Sequence, residues 1–161
     1  MKIERAILTS LAVLAMGGGQ AAFAKNLHPL DRFMMSLSED IKGETQQSRF
    51  NATQTMSECT AFFIELGRHT EGTSVSTEEA QKGIQTMTRQ IKDITTLIWS
   101  LHSATAIGDV EHLIEEARGD EALMLRANGL DSLNVLSRYD ECLHVYYLAN
   151  DFALKGQTVM D

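Results

Sequence analysis

The chain has 161 residues, with 22 acidic against 14 basic side chains and a formal net charge of −8. So acidic a chain does not offer the cationic face that nucleic acid or an anionic lipid surface requires. A single proline, Pro29, and sparse turn punctuation argue against a β-rich domain, and the length suits one domain with a real core.

The N-terminus reads as an export leader. Lys2 and Arg5 give a basic end, an uncharged stretch follows from Ala6 to Met16, and Ala22-Phe23-Ala24 matches the small-x-small cleavage pattern. The apolar run is roughly half the ~20 residues a spanning helix needs. Cleavage is therefore expected after Ala24, leaving one domain over 25–161 that is periplasmic or secreted. Losing Lys2, Arg5 and Glu4 leaves 12 basic against 21 acidic residues, a net charge near −9. No cysteine follows the cleavage site to carry a lipid, and no later run is apolar enough for stable membrane insertion.

Past the leader the chain reads as helices. Pro29 suits a first-turn position, and Leu30, Phe33, Met34, Leu37 and Ile41 give a short helix to about Lys42 its apolar face. Phe50, Met56, Cys59, Phe63 and Leu66 stripe a second helix from about Glu44 to His69. The link Thr70 to Val75 is short enough to make the next helix an antiparallel neighbour.

The third helix is predicted over 77–106. Its seam of Ile84, Met87, Ile91, Ile94, Ile98 and Leu101 is spaced 3, 4, 3, 4 and 3, as in helices packed lengthwise. Ser76 and Glu79 form its expected capping box and Gly108 its stop. At ~1.5 Å per residue it would run about 45 Å. Asp109 then caps a helix carrying Val110, Leu113, Ile114 and Ala117, with Gly119 a candidate bend. Gly129 and Asp131 punctuate the way into a last helix striped by Leu133, Leu136, Tyr139, Leu143, Tyr146 and Tyr147. The fold class expected is all-α: an antiparallel bundle of four main helices plus a short N-terminal one.

Cys59 and Cys142 are the only cysteines, both mid-helix among apolar neighbours. Export would place them in an oxidising compartment, so an interhelical disulfide is expected. It closes a loop of roughly 80 residues and contributes about 4 kcal/mol or less. Redox-active pairs lie close in sequence, and these are 83 positions apart.

The residues that could bind metal are Glu65 with His69, His112 with Glu115 or Glu116, and Glu141 with His144, all at helical spacing. A di-iron bundle requires two Glu-x-x-His steps and two further glutamates, and only Glu141–His144 is a clear step. Haem would draw on His102, Met56 or Met87, without the Cys-x-x-Cys-His attachment sequence. Ser100, His102 and Ser103 share one turn without a nucleophile–base arrangement. No catalytic residue, metal or cofactor is therefore assigned.

Phe62-Phe63, Trp99 and Tyr146-Tyr147 crowd aromatics onto the helices. Adjacent residues point about 100° apart, so one member of each pair can pack while the other borders the surface. Phe62, Trp99 and Tyr147 are the candidate interaction residues, with the short leading helix the expected cover for such positions. The expected function is non-catalytic protein–protein contact by an inhibitor, immunity-type or accessory factor. A bundle holding metal or haem, and an enzyme with a site assembled from scattered residues, are the alternatives. Oligomeric state is left open.

Overall fold

The computed structural model describes residues 29–74 and 76–157, so the expected leader and cleavage site lie outside the described residues. Five α-helices fill most of that span: α1 (Pro29–Lys42), α2 (Gln46–Thr70), α3 (Glu78–Ser100), α4 (Ala106–Asn128) and α5 (Leu133–Gln157). The chain divides at Arg32 into two units. Of the first, Met1–Arg32, only the opening turn of α1 is described; the bundle is the second, Phe33–Asp161.

Helix directions follow from the side chains that meet. Phe50 at the start of α2 packs edge-to-face on Trp99 near the end of α3, with ring centroids 5.8 Å apart. Lys92 of α3 pairs with Glu111 of α4 at 2.9 Å, and Arg138 of α5 with Glu121 of α4 at 2.6 Å. Cys59 of α2 is bonded to Cys142 of α5. The four long helices therefore run up, down, up, down.

Helix α2 sits centrally, packed most extensively against α3 and α4. Small buried side chains make that possible: Ala52, Thr53, Ser57, Thr60 and Ala61 let neighbouring helices approach. The hydroxyls of Thr53 and Thr60 donate to the carbonyls of Arg49 and Met56 four residues back, so burial leaves neither unsatisfied. At Gly67 a Cβ would lie 3.3 Å from Ile84 of α3. One core joins Leu37 and Ile41 of α1 to Phe62, Phe63, Ile91, Ile98, Leu125 and Val145, and a second gathers Ala61, Trp99, Ala106, Val110 and Ile114.

Several local expectations shift. The cap of α3 is Thr77, whose hydroxyl accepts from the Ala80 amide at 3.1 Å; Ser76 instead accepts from the Gln81 amide group at 2.9 Å. Helix α3 stops at Ser100, well before Gly108, so its length is about 35 Å. The seam's next positions, 105 and 108, are Thr and Gly, and no apolar burial rewards continuing. Gly108 and Gly119 both lie inside α4, whose helix is continuous from Ala106 to Asn128. Gly129 does end it, at a φ of 75° that favours glycine. The amide of Val135 donates to Ser132, not Asp131, as α5 begins.

The largest difference is the roll of α5. Its buried residues are Val135, Cys142, Val145 and Ala149, whereas Leu133, Leu136, Tyr139 and Tyr147 of the expected stripe are exposed. The disulfide fixes the Cys142 side inward, and the rest of the helix follows.

Candidate functional site

Two features of α5 stand out, one on each face. On the inner face Arg138 takes a seam position next to the Cys59–Cys142 bridge, where Cα atoms are 5.1 Å apart and both cysteines are fully buried. Its guanidinium donates to Glu121 at 2.6 Å and Glu141 at 2.7 Å, and lies 3.7 Å from Glu58. Glu58 and Glu141 are the chain neighbours of the two cysteines, so one arginine ties α2, α4 and α5 together around the disulfide. Burial pushes the Glu121 carboxyl above its ordinary pKa, opposed by Arg138, and Glu58 and Glu141 push the same way as burial. Burial works against the Arg138 cation, but its bonds to Glu121 and then Glu141 outweigh that and hold its pKa up.

Beside this cluster an open groove of about 400 Å³ runs between α2 and α4, lined by Gln54, Glu58, Leu113, Glu116, Ala117, Asp120 and Glu121. Glu121, the most buried of its carboxylates, is already bound to Arg138.

The metal-ligand candidates are dispersed among ion pairs. Glu65 accepts from Arg118 at 2.6 Å and Arg68 at 3.4 Å, and Glu115 accepts from Arg118 at 2.7 Å. His112 pairs with Glu116 at 3.3 Å, His144 lies 3.6 Å from Asp140, and Glu141 is held by Arg138. His69 is exposed at the end of α2. Among the described residues no three His, Cys, Asp or Glu side chains converge as a metal would need. For haem, Met56 is sealed in the core and His102 lies against Trp99 with ring centroids 6.2 Å apart.

Of the interaction candidates, Phe62 is fully buried and Trp99 nearly so. Phe62 has no surface to present because α2 is covered on several sides, where a one-faced helix would have left it at the edge. Trp99 turns its indole N–H to Asp109 at 2.8 Å. That carboxylate also accepts from Ser103 at 2.5 Å and Thr105 at 3.0 Å; the Ser103 bond foremost, then the Trp99 bond, hold its pKa below the usual range. The Ser103 hydroxyl is thus engaged in closing the α3–α4 turn.

Tyr147 alone of the three is exposed, and it belongs to a larger pattern. Leu133, Leu136, Asp140, Leu143, Tyr147, Asn150 and Leu154 are spaced 3, 4, 3, 4, 3 and 4, a complete heptad seam on the side of α5 away from Cys142. Leu133 is 84% exposed, Leu136 52%, Tyr147 55% and Leu154 64%, with Leu143 half-buried. Sequence reading merged this outer seam with the inner one. Position 142 was the signal that could have separated them, because a bridged cysteine dictates which side faces in. The chain matches no protein-family model, no curated protein and no solved structure.

Proposed function

We propose that this is an exported protein that acts without chemistry of its own, by protein–protein contact, through the outer face of α5. An inhibitor, immunity-type or accessory factor would have this form. The observation that carries the reading is the uncovered heptad seam. Four leucines and a tyrosine stand in line there, and burying a leucine is worth about 1.5–3 kcal/mol. Apolar side chains aligned at heptad spacing on one helix face, broken only by Asp140 and Asn150, support a contact surface better than scattered exposed residues do. The core is meanwhile complete without it, closed by the disulfide and by Arg138. Export is supported by the leader pattern and by cysteines joined where an oxidising compartment would keep them so.

A photo-reactive phenylalanine analogue placed at Tyr147 in the native host tests the contact. The expected result is a discrete cross-linked species that is missing when the analogue sits at Lys82, on exposed α3. No adduct at Tyr147 would contradict the reading. The exported chain should begin at Lys25 by N-terminal sequencing; a chain retaining Met1 would contradict export.

A further inference from the structure

Resting on that contact reading, we infer that the occupant of the outer α5 face is a second copy of this chain, docked antiparallel across a two-fold axis near residue 145. The seam is complementary to itself in one register. With the helices antiparallel and the axis there, Leu136 meets the partner's Leu154, Leu143 meets the partner's Tyr147, and Asp140 meets the partner's Asn150. Leu136, Leu143, Tyr147 and Leu154 each find an apolar partner and the two polar positions find each other, while Leu133 lies at the end of the register, opposite Gln157. Symmetry repeats each pairing, so neither polar residue is buried against a leucine.

The polar pair is also chemically matched. Asn150 spends one amide hydrogen on the Tyr146 carbonyl at 2.9 Å, leaving its second to donate. Asp140, 57% exposed and 3.6 Å from His144, has acceptor capacity to spare. Parallel pairing would instead set Asp140 against the partner's Asp140, two like charges in one layer. Polar layers of this kind, here two related by the axis, select orientation and register in helix pairs. Helix α5 then has the same role on both faces, with Arg138 and Cys142 marking the inner seam and Asp140 and Asn150 the outer one.

Net charge opposes the association of two acidic copies, and this gives the inference a sign. Repulsion between exposed charges is screened over about 8 Å at physiological salt, whereas the apolar layers are not weakened by salt. The dimer should therefore tighten as salt rises, opposite to docking of a basic partner.

Sedimentation equilibrium of the disulfide-bonded mature chain at about 100 µM tests this, alongside three variants. The expected result is a dimer strengthened by salt. N150D puts carboxylates opposite each other in both polar layers and should weaken association at least about tenfold. D140N should dimerise, and the swap D140N/N150D should restore the wild-type constant. Mixed oxidation of L143C and Y147C chains should yield a covalent heterodimer. Circular dichroism of each variant checks that these surface changes leave the helices intact. A monomer at every salt concentration overturns the inference, as does a dimer indifferent to N150D. If the Tyr147 cross-link in the host then joins a chain of different mass, the contact reading stands and only the second copy is lost.

Discussion

Arg138 is the residue on which the inner face turns. Cutting it back to alanine leaves Glu121 buried among Glu58 and Glu141 with no cation, and loss of one partner of a buried pair costs about 3–5 kcal/mol. Chemical denaturation of Arg138→Ala should show that loss. The double change Arg138→Met with Glu121→Leu should recover most of it, because two apolar groups of similar size need no pairing. Asp109 gives a pH signature. Its pKa is held down in the fold, so the stability it contributes is present above the unfolded value near 3.9 and is lost as pH falls through the folded one. Glu121 has the opposite sign: its raised pKa makes its contribution fall as pH climbs from about 4.3. Thermal melts of Asp109→Asn should therefore lack part of the wild-type decline below about pH 4.

Among the helices, boundaries are decided by single hydroxyls and by whether the next seam position is apolar. The Ser76–Glu79 pattern was legible, yet Thr77 holds the cap and Ser76 serves Gln81, which also reaches Gly67 and Thr70 across the turn. The Glu79 spacing points to Ser76, but the helix backbone begins at Glu78 and leaves Thr77 in the capping position. Thr77→Ala should cost about 1 kcal/mol and Ser76→Ala clearly less, read from urea midpoints. The α3 seam was legible from Ile84 to Ile98, where large apolar residues repeat at helical spacing. Its end was not, since Leu101 continues the rhythm while standing 67% exposed. Helix α5 was misread for a related reason. Its outer seam carries larger side chains than the inner one, so residue size alone points the wrong side inward. The disulfide and the Arg138 cluster override that difference.

For the molecule as a whole, the all-helical class, the antiparallel order and the bridge were legible, because short links and two lone cysteines leave few alternatives. That α2 is central was not. Its burial comes from Ala52, Thr53, Ser57, Thr60 and Ala61, which a search for large apolar stripes passes over. Of the three aromatic candidates legible in the sequence only Tyr147 is exposed: Phe62 lies on α2, which is buried on several sides, and Trp99 lies on the same buried face of α3 as Ile91, Thr95 and Ile98. The bridge itself should behave as structure. Both sulfurs are sealed from solvent, so mild reductant should leave Cys59–Cys142 intact until the protein is unfolded. Replacing both cysteines with alanine should lower stability by about 4 kcal/mol or less while preserving helical content.

The proposed contact lies on the outer face of α5, and the accessibility of that face in place tests it. Hydroxyl-radical footprinting of the protein in its native host compartment, compared with the purified chain at high dilution, reads that face side chain by side chain. Protection of Leu136, Leu143, Tyr147 and Leu154 in the host, with exposed Leu97 and Ile107 unchanged, is the predicted result. Equal oxidation of the α5 seam in both settings would contradict the account.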